Sequence, residues 1–232
     1  QRRTSWMSMQ EQVDAIRERM AGACARVGRQ ADEVRLVAVS KPYPPERVCE
    51  AVDCGLTVFG ESRVYEAEAK IPESPSAAEW ELIGHLQRNK VRRAVELFRM
   101  IHAVDSLALL AKIDTCARAC GKSMPVCLEV NVSGESSKYG FPPGSVPEVL
   151  EEATSLLNVD VIGVMSIPPF APDPESARPY FRQLRELRDG WRESSGFELA
   201  ELSMGMSGDF EIAIEEGATC IRVGSLIFGS RA

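Results

Sequence analysis

Eight short runs rich in apolar and β-branched residues, each followed by a stretch with helical spacing, constrain this chain more than any other feature. The runs lie near 35–40, 56–59, 80–84, 100–104, 125–132, 159–165, 200–204 and 219–223. Between them apolar side chains recur at three and four residues: Val48, Ala51, Val52; Val91, Ala94, Val95, Phe98; Leu107, Leu110, Ile113, Ala117; Val146, Val149, Leu150, Ala153, Leu157; and Tyr180, Leu184, Leu187, Trp191. Shorter helical stretches run from Arg63 to Lys70 and from Gly208 to Glu216. Val126 to Val132 and Val159 to Met165 are apolar almost throughout, as in a parallel sheet covered on both faces. Strand and helix in alternation build βαβ units, and eight of them close most simply into an α/β (β/α)8 TIM barrel. An open doubly wound sheet is the alternative. One extra N-terminal helix precedes the barrel, carried by Val13, Ile16, Met20, Cys24 and Val27 and ended by Gly28. Residues 9–232 are therefore expected to form one domain. Residues 1–8 are expected to be a disordered or extraneous leader, because the chain opens on Gln and Met7 and Met9 are both reasonable starts.

The charge balance narrows the partners. With 27 basic against 34 acidic residues and a net charge of −7, a broad phosphate-neutralising surface for nucleic acid is not expected. Seven cysteines are scattered without a CxxC pair, so neither a disulfide framework nor a metal site is signalled, and a cytoplasmic location is expected. Asp105 and Asp160 interrupt the longest apolar runs, so no membrane span is expected. A monomer is expected, since no exposed apolar tract is evident.

In a barrel, chemistry sits just past the carboxyl ends of the strands. Polar and glycine residues crowd there: Ser40-Lys41, Gly60 to Arg63, Gly84 to Gln87, Asp105-Ser106, Asn131 with Ser133, Met165-Ser166, Ser203 to Asp209, and Arg222 to Ser225. Lys41 closes an apolar run and is followed by Pro42, Pro44 and Pro45. A lysine held against apolar walls can attack carbonyls, although a strand-end lysine paired with a carboxylate is the commoner fate. Ser207-Gly208 lies where a helix should begin, so hydroxyl and amides can face an anion, and Gly224-Ser225 offers a second set of amides. Each alone reads equally as an N-cap or a tight turn. Together, in the loops after strands 7 and 8, they suggest a phosphate site. Arg222 lies between, and either forms a structural ion pair or faces the ring of a cofactor. An amine, a phosphate cradle and an arginine suit a phosphorylated aldehyde such as pyridoxal 5'-phosphate (PLP).

These residues carry a close resemblance. Val37-Ala38-Val39-Ser40-Lys41, Phe59-Gly60-Glu61-Ser62, the runs Trp80 to Lys90, Ser137 to Phe141, Gly163 to Ile167, Leu202 to Asp209 and Ile221 to Gly229 resemble the YggS/PROSC family of PLP homeostasis proteins. The resemblance spans about Val34 to the end of the chain. It implies a barrel similar to the N-terminal domain of alanine racemase, with PLP held on Lys41 as an aldimine. It further implies that Ser207, Gly208, Gly224 and Ser225 hold the phosphate, that Arg222 faces the pyridine nitrogen, and that Met165 and Ser62 lie near the cofactor. Ser62 departs from the Asn usual in the family.

The one-domain length and the place of Arg222 add the expectation of a carrier in vitamin B6 homeostasis, which releases PLP to apo PLP-dependent enzymes without robust turnover and has no catalytic residue of its own. A cation beside the ring nitrogen opposes its protonation and weakens the cofactor's electron sink. Racemisation needs a second acid or base, which in alanine racemase is a tyrosine of a further domain, and the chain stops after the barrel. Tyr43 and Tyr139 are the tyrosines expected near the mouth, and His85 beside it reads more readily as scaffold. A weak amino-acid racemase is the alternative, and a cofactor-free aldolase-like barrel a more distant one. Lys138 has no apolar strand behind it comparable to that of Lys41, and reads as an anion-binding residue rather than the attachment point. The basic stretch at Arg88, Lys90, Arg92 and Arg93 reads as a solvated helix face.

Overall fold

A computed structural model describes residues 7–229, and its eight parallel strands close into a barrel in sequence order. The strands are β1 (Arg35–Val39), β2 (Val58–Glu61), β3 (Glu79–Leu82), β4 (Met100–Val104), β5 (Met124–Glu129), β6 (Val159–Met165), β7 (Glu201–Ser203) and β8 (Cys220–Val223). The helices are α1 (Met9–Arg26), α2 (Pro45–Asp53), α3 (Val64–Lys70), α4 (Val91–Leu97), α5 (Leu107–Ala119), α6 (Val146–Ala153), α7 (Arg178–Ser195), α8 (Phe210–Glu215) and α9 (Ser225–Phe228). The barrel is the expected one.

Closure is completed by β8 pairing with β1, Leu36 beside Ile221 and Ala38 beside Val223. One strand further round, β6 and β7 approach so closely that a Cβ on Gly163 would collide with the Glu201 carbonyl oxygen. Only glycine fits there. The main apolar core fills the layer between barrel and helices, with Phe59, Phe98, Phe181 and Phe210 among its fully buried members. A separate small cluster of Met100, Ala103, Cys127 and Met165 gathers on β4, β5 and β6. Beside it, Arg35, Glu81, His102, Ser203 and Arg222 are linked by hydrogen bonds, so the barrel carries a polar thread. Strands read as apolar conceal that thread, because its members are spread singly over five of them.

The extra helix belongs to the fold. Ser8 is its N-cap and exchanges hydrogen bonds with Glu11, the reciprocal capping-box pattern. Residues 1–6 of the expected leader lie outside the described residues. Gly28 adopts φ +70° just beyond the end of α1, a conformation that favours glycine. Arg19 stacks on Phe210 and pairs with Glu211, Arg26 pairs with Glu215, and Arg29 donates to the carbonyls of Ile214 and Ala218. Through these contacts α1 braces α8.

Three expectations shift. The second strand lies two residues later than 56–59, since Gly60 and Glu61 continue the ladder with Glu81 and Leu82 as partners. The helix around Val146 stops at Ala153, and Leu157 is 85% exposed in the turn beyond it. Ser207 does not cap α8: Asp209 is the N-cap residue, and the Ser207 hydroxyl is engaged elsewhere.

Candidate functional site

At the carboxyl ends of the strands a cleft of about 790 Å³ opens between the β1, β7 and β8 ends and the loop after β6. It falls within the size range of small-molecule sites. Lys41, Ser207, Gly208, Arg222, Gly224 and Ser225, six residues from three separate strand ends, all line it. Ser62 and Met165 are not in that lining. Met165 is fully buried in the small cluster on β4 to β6, and Ser62 is half-buried just past the end of β2, its carbonyl against Gly84.

Lys41 is half-buried two residues beyond β1, with a cis peptide bond to Pro42. The residue before it is clamped. Ser40 donates its hydroxyl to Glu61 Oε1 at 2.6 Å, while Lys70 Nζ donates to the Ser40 carbonyl at 2.9 Å and to Glu61 Oε1 at 2.5 Å. All three are buried, and Lys70 holds the Glu61 carboxylate. Glu61 Oε2 and Ser166 Oγ are buried without a hydrogen-bond partner among the described residues.

The two loops expected to cradle an anion converge. Ser207 Oγ accepts a hydrogen bond from the Gly224 amide at 3.3 Å, tying the loop after β7 to the loop after β8. A Cβ built on Gly208 meets nothing within 4 Å, whereas one on Gly224 would press on the Val39 carbonyl at 3.1 Å. Open space therefore lies over Gly208. Asp209 also lines the cleft, but its Oδ1 accepts from the Met206 amide at 2.7 Å, and burial pushes its carboxyl up.

Arg222 is 3% exposed and donates from Nη1 to Ser203 Oγ at 2.5 Å and from Nη2 to the Ser166 carbonyl at 3.2 Å. Among the described residues no carboxylate lies within ion-pairing distance of it. Burial lowers its pKa from the ordinary arginine value, yet a guanidinium stays protonated in proteins. A buried cation bonded only to neutral groups suits a neutral acceptor such as an aromatic ring nitrogen.

The opposite rim is differently made. His85 Nδ1 lies 3.0 Å from Asp105 Oδ2, and its ring stacks on Tyr139 with centroids 3.9 Å apart. Lys138 pairs with Glu135 at 2.9 Å and lies outside the cleft lining. Tyr43 lines the cleft, but its hydroxyl donates to the Gly229 carbonyl at 2.6 Å while its ring stacks on Phe228. Glu129, buried at the end of β5, has its carboxyl pushed up to about 7 by burial and by the neighbouring Asp105. The loop after β6 exposes Ile167 and Phe170 on the rim, the latter 96% exposed, so an apolar tract does face solvent. Arg92 and Arg93 of the basic stretch are ion-paired to Glu96 and Glu68.

The sequence reading missed Glu129 and His102, and placed Ser203 and Ser166 at the strand ends without giving them a role. Their signal was parity: Ser203 is two residues before Gly205, and Glu129 two before Asn131, so each shares a strand face with a residue placed at the mouth.

A molecule with an aldehyde, an aromatic nitrogen and a phosphate fits this lining. The amine of Lys41, the cation of Arg222 and the amides and hydroxyls of Ser207, Gly208, Gly224 and Ser225 are complementary to those three groups.

Comparison with known proteins gives concordant results. Residues 12–232 match the family model described as alanine racemase, N-terminal domain. A pyridoxal phosphate homeostasis protein of Aquifex aeolicus (strain VF5) is 43% identical over 226 residues, covering 97% of this chain and 99% of the relative. PipY of Synechococcus elongatus PCC7942, solved without PLP, superposes with a TM-score of 0.87 at 36% identity over 96% of this chain and 100% of that one. The same protein with PLP bound superposes with a TM-score of 0.84 at 35% identity, with the same coverage.

Proposed function

The chain belongs to the alanine racemase N-terminal domain family, and from that membership and the cleft's lining we propose that it is a PLP-binding protein of vitamin B6 homeostasis. It holds PLP covalently through Lys41 and releases it to apo PLP-dependent enzymes without robust turnover of its own. The observation that carries this reading is the convergence of Lys41, Arg222 and the linked loops at Ser207-Gly208 and Gly224-Ser225 on one cleft. The PLP-bound structure of PipY, at 35% identity over nearly the whole chain, supports the same ligand.

PLP supplies an aldehyde for an amine, an aromatic ring that can act as an electron sink, and a phosphate. Lys41 is the attachment point, and the clamp of Ser40, Glu61 and Lys70 fixes the backbone that presents it. Ser207, Gly208, Gly224 and Ser225 bind the phosphate through amides and hydroxyls. Arg222 donates to the ring nitrogen and, as a cation, opposes its protonation. Ser62 and Met165, outside the lining, are not assigned a contact with the cofactor.

Two features favour holding over turnover. A ring nitrogen kept unprotonated is a weaker sink for carbanions. The tyrosine in the cleft, Tyr43, has its hydroxyl committed to Gly229, and Tyr139 lies outside the cleft lining, so neither is poised as a second acid or base. All seven cysteines are free thiols, in keeping with a reducing cytoplasm. The exposed Ile167 and Phe170 lie on the side from which an acceptor enzyme would approach.

Incubation with single-enantiomer amino acids in deuterated water tests the carrier reading. Loss of PLP to an apo-enzyme, without multiple-turnover exchange at the α-carbon, is the expected result. Sustained exchange or racemisation would overturn it.

A further inference from the structure

The polar thread inside the barrel has a direction. Glu81 is fully buried, and although burial alone would raise its carboxyl, the hydrogen bond from His102 and the Arg35 guanidinium hold it below the usual range. An ionised carboxylate can only accept, so at the 2.7 Å contact His102 Nε2 is the donor. Burial also pushes the His102 imidazole down, so the ring is neutral and Nδ1 carries a lone pair. Ser203 Oγ lies 2.8 Å from that Nδ1 and accepts from Arg222 Nη1 on its other side. A guanidinium can only donate, which leaves the one serine proton for Nδ1. Every hydrogen from Arg222 to Glu81 then points the same way. The other histidine tautomer would set two lone pairs against each other at Glu81 and leave the Ser203 proton without an acceptor.

We propose that Glu81, His102 and Ser203 form a one-way hydrogen-bond chain that fixes the Arg222 guanidinium, with Glu81 setting its direction. The role toward the cofactor rests on the reading that Arg222 faces the PLP ring. Arg222 has no carboxylate of its own within ion-pairing distance among the described residues, and its charge is 3% exposed. Glu129 and Asp209 are the carboxylates whose charges reach it from a distance, whereas Glu81 acts on its position through two neutral groups. Glu81 is anchored in turn from the opposite end of the barrel, by Arg35 at 2.5 Å and Arg99 at 2.9 Å. A carboxylate placed directly on Arg222 would compete with the cofactor for its hydrogens. Through the chain the guanidinium is held while its remaining donors stay available. Glu81, His102 and Ser203 are thus positioning residues for the arginine that touches the ring.

Nitrogen-15 NMR of histidine-labelled protein reads the chain directly, because the sequence contains two histidines and His85→Gln assigns the other. In PLP-free protein at about pH 8 His102 is expected as the neutral Nε2–H tautomer. An Nδ1–H tautomer, or an imidazolium at that pH, overturns the proposal. Adding PLP is expected to move the His102 Nδ1 resonance; a ring that does not respond reduces the thread to architecture and overturns it too.

Substitution provides a second arm. His102→Gln can donate to Glu81 and accept from Ser203, so it is expected to bind PLP within about twofold of wild type. His102→Leu breaks the chain and is expected to weaken binding about tenfold, the scale of one lost hydrogen bond to a charged group. Glu81→Gln can donate from its amide and is expected to switch His102 to the Nδ1–H form. Equal binding by His102→Gln and His102→Leu overturns the proposal while leaving the carrier reading intact. Failure of the wild type to take up PLP defeats the carrier reading instead, and the tautomer in the PLP-free protein still decides the chain. The same measurement decides it if His102→Leu does not fold.

Discussion

Replacing Lys70 by Met removes the cation from the most deeply buried ion pair that touches the Lys41 segment. Lys70 is 8% exposed and Glu61 fully buried, with Nζ 2.5 Å from Oε1. Methionine keeps the apolar stem of the side chain, so the change is mostly electrostatic. Glu61 would retain the Ser40 hydroxyl on Oε1, but Oε2 is already without a partner, and the Ser40 carbonyl would lose its donor. Breaking a buried pair from one side typically destabilises by about 3–5 kcal/mol, because a charge stays behind without compensation. For a chain of this size each kcal/mol shifts Tm by about 2–4 °C, so a fall of roughly 6–20 °C is expected by circular dichroism. The double variant Lys70→Met/Glu61→Gln leaves no buried charge and should recover most of it. A single variant within about 0.5 kcal/mol of wild type, or a double variant no better than the single, would refute the reasoning.

Gly208→Ala adds a methyl where nothing lies within 4 Å, so thermal stability should hold or rise slightly while PLP affinity, followed by equilibrium dialysis, falls about tenfold or more. Unchanged affinity would remove Gly208 from the phosphate cradle. Gly163→Ala forces a Cβ into the Glu201 carbonyl and should open the barrel between β6 and β7, seen as a Tm loss of many degrees or as insoluble protein. Glu129 titrates near 7 when folded, above its unfolded value, so the native state binds the extra proton and stability falls as pH rises from about 4.5 to about 7. Glu129→Gln should remove that slope, by up to about 3 kcal/mol in urea unfolding compared across this range, in PLP-free protein.

How legible the molecule is from sequence depends on how local the signal is. The eight strands and the six cleft residues rest on short-range patterns: apolar runs, helical spacing, and serine or glycine just past a strand. Leu157 fits the helical period but comes after Thr154 and Ser155, where the last turn of α6 has already closed, so period alone overran the end. Gly60-Glu61 looked like loop because a glycine and a charge rarely continue a strand. The partner that allows it, Lys70, lies on α3 and is visible only in three dimensions. Ser207 shows the same limit: its neighbours suggested a helix cap, whereas its hydroxyl meets the Gly224 amide seventeen residues away. The thread from Glu81 to Arg222 joins β3, β4, β7 and β8, a juxtaposition created by barrel closure and by no local motif.

The central claim is that Lys41 is the covalent holder of PLP, and borohydride reduction followed by peptide mass mapping tests it most directly. Wild-type protein loaded with PLP and reduced should carry one phosphopyridoxyl group, on the peptide containing Lys41, and Lys41→Ala should carry none there. Ser207→Ala combined with Gly208→Ala should lower the yield without moving the label. Label found mainly on Lys138 or Lys70, or no label on protein that has taken up PLP, would contradict the account.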